Sequence, residues 1–285
     1  MRFGLLGMLE VFDGERRVTL SAPKVRSVLA LLLLHSGRVV HTASLIDELW
    51  GENPPLTALT TLHTYIYQLR KAIPVRRTTD AGPGEPAPTG TPQPQWLRTA
   101  YAGYVADIPP ESIDLRQFES LAVQGKQALD RGVMAEAAGL LRAAQSCWRG
   151  PFAADVRHGR ALSAYATKLD EEWLRVVEQA IEAEMALGLH REVLGELRQL
   201  VMEHPFSEGL YQQLMLALYR SDRRFDAIQE YQCLRRNMVD ELGLEPSRAV
   251  RQLHEAILNS DPSLDFRYAD RPRPRPRQHS DWSAH

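Results

Sequence analysis

The spacing of apolar residues changes period along the chain, and that change predicts its organisation. Arg2 to Leu6, Leu9 to Phe12 and Val18 to Leu20 are short apolar runs broken by Gly7 and by Asp13-Gly14, a pattern that predicts a small antiparallel sheet. Val25, Val28, Leu29, Leu32 and Leu33 then recur at helical spacing behind Pro23, which suits a first helical turn, and the run stops at Ser36-Gly37. Val39-Val40 is long enough only for a bridge strand. Thr42 is placed to cap a helix over Ala43 to Trp50, with Leu45, Ile46 and Leu49 inward, Asp47 and Glu48 outward, and Gly51 at its end. Asn53-Pro54-Pro55 connects it to a second amphipathic helix, Pro54 to Ile73, whose stripe is Leu62, Ile66, Leu69 and Ile73. Two helices joined this tightly predict a helix-turn-helix pair. Trp96 to Thr99, Ala100 to Gly103 and Tyr104 to Ala106 then read as strand, turn and strand, the wing of a winged helix.

Beyond Asp114 the period is helical throughout. Asp114 to Asp130, Met134 to Trp148, Ala161 to Leu187, Arg191 to Glu203, Glu208 to Arg220, Arg224 to Glu241 and Ser247 to Leu258 each carry it, with Gly, Pro, Ser or Asp between them. An offset of 34 residues aligns Ala183 with Ala217, Glu192 with Asp226 and Leu197 with Tyr231, which is the repeat of tetratricopeptide helix pairs. Three pairs fit, centred near residues 131, 189 and 222, the first displaced by Arg149 to Gly159. Stacked pairs form a concave surface suited to holding a peptide or another protein. His190 and His204, at a helix start and a helix end, read as capping residues.

The polar face of the Pro54 to Ile73 helix carries the functional signal. Opposite its apolar stripe lie Thr57, Thr60, Thr64, Tyr67, Gln68 and Lys71, with no carboxylate among them. A solvated helix ordinarily mixes both charge signs, whereas a face that approaches phosphates must lack anions. Thr60, Thr64, Tyr67 and Gln68 are therefore candidates for contact with base edges, and Thr61 is a candidate for contact with DNA. Arg70, Lys71, Lys24 and Arg26 are candidates for contact with phosphates, Arg98 of the wing for a phosphate or the minor groove, and Thr99 of the wing for contact with DNA.

Charge supports this division. Residues 1–106 hold 11 Lys+Arg against 8 Asp+Glu, a balance of +3; residues 107–261 hold 18 against 25, or −7; the remainder holds 5 against 3, or +2. A basic module followed by an acidic one suits a polyanion at one end and a protein at the other. Its 285 residues exceed the ~100–200 of a typical domain, so two are expected. Cys147 and Cys233 lack metal-ligand spacing and suit a reducing compartment. No apolar run reaches the ~18 residues of a membrane span. No zincin, P-loop or nucleophile-elbow motif occurs, so no catalytic residue, metal or cofactor is expected.

These features together resemble one family. VRSVLALLLLHSG, LIDELWGE, LWGENPP, LHTYIYQLRKAI and LRTAYAGYVAD resemble the response-regulator type of winged helix found in the Streptomyces antibiotic regulatory proteins. CWRGPF, LGLHREVLGELRQLVMEHPFSEGLYQQLMLALYRSDRR and MVDELGLEPS resemble that family's bacterial transcriptional activation domain. The Pro/Gly-rich insertion before the wing is longer than the family pattern, and Ser221-Asp222 stands where the family commonly has Gly.

The expected fold is mainly α: an α+β winged helix at residues 1–106, an all-α tetratricopeptide-like domain at 107–260, and a disordered Arg/Pro-rich tail at 261–285. Residues 1–106 alone are expected to retain DNA binding, and the insertion before the wing is expected to be mobile. The resemblance implies a cytoplasmic, nucleoid-associated activator of a biosynthetic gene cluster. Such an activator binds direct repeats in double-stranded promoter DNA as a pair of protomers and recruits RNA polymerase subunits, sigma factor included. A helical-repeat adaptor without specific DNA binding is the alternative.

Overall fold

The computed structural model describes residues 1–73 and 96–266. Residues 74–95, which include the Pro74 to Pro94 insertion before the wing, and the tail from residue 267 lie outside the described residues, and so do the expectations for them. The chain divides into two compact units, residues 1–124 with 142–176, and residues 125–141 with 177 onward.

The first unit opens with an antiparallel sheet of β1 (Arg2–Gly4), β2 (Glu10–Asp13) and β3 (Arg16–Arg17), in that order. The third strand forms earlier than Val18 to Leu20 because Gly14, at φ +60, closes a turn that sets Arg16 directly opposite Asp13. Helix α1 (Pro23–Leu34) is buried along most of its length. Strand β4 (Val39–His41) leads straight into α2 (Thr42–Trp50), so the residue before the helix is the extended His41 and Thr42 is not a side-chain cap. Helix α3 (Ala58–Ala72) begins later than Pro54. Pro55 disfavours helical geometry at Pro54, and the Pro55 carbonyl instead accepts the Ala58 N–H at 2.9 Å. The wing is β5 (Leu97–Ala100) and β6 (Gly103–Ala106), joined to β4 in the order β4-β6-β5. Gly103 is needed there, since a Cβ would stand 2.0 Å from the Val40 carbonyl oxygen.

Residues 1–106 do not form a compact unit by themselves. At the start of α4 (Asp114–Asp130), the Asp114 carboxylate accepts the N–H groups of Leu5 at 2.8 Å and Leu6 at 3.1 Å. After α5 (Met134–Ser146) the chain returns to the leading sheet. There the N–H groups of Arg149 and Ala153 donate to the carbonyls of Leu6 and Leu5, and Arg149 ion-pairs with Asp114 at 2.7 Å and with Glu10. Glu48, expected to face outward, is 6% exposed. Its carboxylate accepts N–H groups of Gly159 at 2.5 Å, Ala161 at 2.7 Å and Leu162 at 3.3 Å, capping α6 (Arg160–Ala186) from a different helix.

The second unit stacks the end of α6 with α7 (Leu194–Glu203), α8 (Glu208–Arg220), α9 (Arg224–Leu242) and α10 (Arg248–Asn259). The 34-residue correspondence has a structural basis, since Ala183 and Ala217 are both fully buried. Asp222 meets the turn between α8 and α9 with φ +63, the left-handed conformation that Gly or Asp tolerates. Ordered chain continues past the last helical period. Asp261 accepts the Ser263 N–H at 2.8 Å, and Pro262–Leu264 form a 3-10 turn, so residues 261–266 fall outside the disorder expected from 261 onward. Among the described residues no helix is long and apolar enough to cross a membrane.

His190 is not a cap. It is 6% exposed, and neither ring nitrogen has a hydrogen-bond partner among the described residues. Burial, and then the charge of Arg220, lower its pKa from 6.5 to about 4, with Glu192 opposing. Below pH 6.5 the unfolded chain binds more protons at this group than the folded one. Its contribution to stability is therefore complete above 6.5 and drains away as the pH falls towards 4. The wild-type thermal midpoint is expected to fall more steeply between pH 6.5 and 4 than that of His190→Leu, as followed by calorimetry; parallel curves would contradict this.

Candidate nucleic-acid interface

The face of α3 that leaves the core is set by the face that enters it. Leu62, Ile66, Leu69 and Ile73 are at most 2% exposed, which turns Thr60, His63, Thr64, Tyr67, Gln68 and Lys71 outward in one stripe. All of these are exposed, Tyr67 by 64%, and α3 contains no carboxylate. Thr57 is exposed at the start of the helix, while Thr61 is half-buried at the edge of the stripe. The Thr64 hydroxyl donates to the Thr60 carbonyl at 3.1 Å, so towards a ligand it offers acceptor lone pairs. His63, an exposed donor and acceptor in the middle of the stripe, was missed by the sequence reading, although its spacing of three and four residues from Thr60 and Tyr67 would have found it.

The wing stands beside this stripe because α3 holds it. Arg70 donates from Nε to the Leu97 carbonyl at 3.0 Å and from a terminal nitrogen to the Thr99 hydroxyl at 2.9 Å. Arg70, expected as a phosphate contact, and Thr99, expected to meet DNA, are thus engaged with each other and fix the wing to the end of the helix. Arg98 is exposed, and neither it nor Lys71 has an ion pair among the described residues. The tip of the wing is Tyr101, fully exposed, followed by Ala102 at φ +106. Sequence reading placed the turn there but did not single out the tyrosine.

The two candidates on α1 are occupied elsewhere. Arg26 ion-pairs with Asp155 and donates to the Leu9 carbonyl at 3.2 Å, while Asp155 also accepts the Leu9 N–H at 2.8 Å. Burial raises the pKa of that carboxyl, but the bonds from Leu9 and Arg26 outweigh it and hold the pKa below its ordinary value. Lys24 lies over the Trp50 ring, 4.3 Å from its centroid, and its pKa is lowered by burial and then by Arg157. Both cations are spent on the fold of the first unit, which leaves Lys71 and Arg98 as the free charges of the original set. The arrangement offers hydroxyls, an amide, an imidazole and a phenol on one helical ridge, flanked by cations and a β-ribbon.

Comparison with known proteins agrees along most of the chain. The family described as "Transcriptional regulatory protein, C terminal" matches residues 15–81, and that described as "Bacterial transcriptional activator domain" matches residues 113–258. The regulatory protein DnrI of Streptomyces peucetius is 40% identical over 265 residues, covering 93% of this chain and 94% of the relative. The regulatory protein AfsR of Streptomyces coelicolor is 35% identical over 266 residues, which is 93% of this chain but 25% of AfsR. The solved structure of Mycobacterium tuberculosis EmbR in complex with a low-affinity phosphopeptide superposes with a TM-score of 0.79 at 34% identity, over 92% of this chain and 65% of that one.

Proposed function

Because the chain belongs to the Streptomyces antibiotic regulatory protein family of transcriptional regulators, we propose that it activates a biosynthetic gene cluster by reading promoter DNA with α3. The observation that carries this reading is the exposed, carboxylate-free stripe from Thr60 to Lys71, with the wing held beside it by Arg70. In this assignment Thr60, Thr64, Tyr67 and Gln68 meet base edges, with Thr61 at the margin. Lys71 and Arg98 position the protein on phosphates, and Arg70 and Thr99 orient the wing. Two protomers occupy direct repeats, and the acidic helical region supplies contacts to RNA polymerase and its sigma factor, since its −7 balance gains nothing from the field of DNA. The functional modules are the DNA-reading residues 1–106 and the activating residues 107–260, even though their packing interleaves.

Two substitutions in the full chain test the division of roles. Lys71→Ala is expected to weaken all DNA sequences alike and to reduce the salt slope of binding by about 1. Gln68→Ala is expected to lose discrimination at a single base pair, by roughly 1–3 kcal/mol. Binding titrations on single-base variants of the site at several salt concentrations separate the two. An unchanged preference in Gln68→Ala, with an altered one in Lys71→Ala, would overturn the assignment.

A further inference from the structure

After α10 the chain turns through Ser260, a non-glycine residue at φ +51, and lays the segment Asp261–Phe266 against the second unit. The contacts of that segment spell out a binding chemistry. Arg220 at the end of α8 donates from Nε to the Leu264 carbonyl at 2.8 Å, and its guanidinium lies 5.9 Å from the centroid of the Phe266 ring. The Tyr219 hydroxyl donates to the Asp265 carboxylate at 3.5 Å. The Phe266 and His190 rings meet at 77°, with centroids 4.8 Å apart. Phe266 sits beside Gly188, where a Cβ would meet the ring at 3.0 Å.

Two observations show that this groove is built for more than its present occupant. Cavities of about 800 Å³ and about 1030 Å³ flank the segment, both bordered by Arg220, Asp265 and Phe266, so the segment divides one larger groove and fills only part of it. The larger cavity is walled in part by the apolar side chains of Met134, Met185, Leu216 and Leu253. Second, the buried His190 packs against the Phe266 ring, which has no hydrogen-bonding atom, so its imidazole is desolvated without a partner among the described residues.

We propose that this groove is a recognition site for an extended acidic–aromatic peptide of a partner protein, and that Leu264-Asp265-Phe266 occupies it in cis as a built-in competitor. The aromatic residue enters the notch between Gly188 and His190, and the carboxylate before it sits by Tyr219 and Arg220. Apolar residues further along the peptide lie on the Met185–Leu253 wall. Pro262, Ser263 and Asp265 are themselves exposed, so the cis segment lies at the surface, where an incoming peptide can reach it. The site is independent of the DNA-reading face, and its test needs no DNA.

The probe is a fluorescein-labelled hexapeptide of sequence Asp-Pro-Ser-Leu-Asp-Phe, titrated against the full chain and against full-length Phe266→Ala by anisotropy. Binding to Phe266→Ala is expected to be at least about tenfold tighter than to the wild type, whose own segment competes at high effective concentration. Peptides with Ala in place of the aromatic residue, or Lys in place of the preceding Asp, should lose binding. Equal binding to both chains, or indifference to the aromatic residue, would overturn the proposal. If Phe266→Ala melts the helical region, the wild type is titrated with the same hexapeptide while the His190 ring resonances are followed by NMR. A shift at saturating peptide supports displacement of Phe266, and none would refute it. Dimerisation of the wild type that Phe266→Ala abolishes would assign the groove to a second copy and end the partner-peptide reading.

Discussion

A chain cut after residue 106 is expected to lose its cooperative thermal transition, whereas the full chain keeps one. Leu5 and Leu6 are both 0% exposed, and the groups that meet their backbone lie beyond the cut: the Asp114 carboxylate and the N–H groups of Arg149 and Ala153. Phe3 bridges to Ile113, and Leu6 to Phe152. Exposing a buried Leu or Phe costs ~1.5–3 kcal/mol, so uncovering several consumes most of the ~5–15 kcal/mol that stabilises a typical domain. This replaces the expectation, natural from sequence, that a winged helix ending at 106 stands alone. A milder form in the full chain is Asp114→Ala. It strips two backbone donors and Arg149 of their shared partner and should cost ~3 kcal/mol, the scale of breaking a part-buried pair. Calorimetry of the fragment decides the matter, and a sharp, reversible transition for residues 1–106 would refute it.

Glu48→Ala should destabilise the full chain by ~3 kcal/mol, because three N–H groups at the start of α6 lose a charged acceptor in a site too buried for water to replace it freely. In a chain of this size that corresponds to a fall of about 5–10 °C in the thermal midpoint. Asp47→Ala, one position away and exposed, should stay within ~0.5 kcal/mol. The contrast tests the structural assignment, since on the helical pattern both acids lie on the outward side. Equal effects from the two substitutions would mean that Glu48 is not the cap of α6. Glu48 also belongs to the first helix of the helix-turn-helix, so the same bond ties that helix pair to the long helix α6.

The contrast between Asp47 and Glu48 shows where sequence stops being informative. Helices α4 to α10 were legible because a 3.6-residue period repeats over many turns, and the free face of α3 was legible because the absence of carboxylates is itself a sequence property. What could not be read depends on partners far along the chain. Arg26 finds Asp155, Glu48 finds the start of α6, and Arg70 finds the Leu97 carbonyl and Thr99 in the wing. A cation in a basic module reads as a phosphate contact until its carboxylate or carbonyl is located, and only the packed structure locates it. His190 misled for the same reason, since a histidine between helices reads as a cap while its burial is decided by α8 and by Phe266. His63 and Tyr101 were missed through incomplete reading of the stripe and of the hairpin tip rather than through any hidden contact.

The central claim is that the carboxylate-free face of α3 reads DNA, and it is met most directly by placing one carboxylate there. Gln68→Glu adds an anion to an exposed position that contributes nothing to the core, so the thermal midpoint should stay within ~0.5 kcal/mol of the wild type in free energy. Footprints of both chains on the promoters adjoining the gene for this protein provide the measurement. Wild type is predicted to protect a pair of direct repeats and Gln68→Glu to protect nothing at the same concentration. Equal protection by an equally stable Gln68→Glu chain would show that α3 does not face the bases.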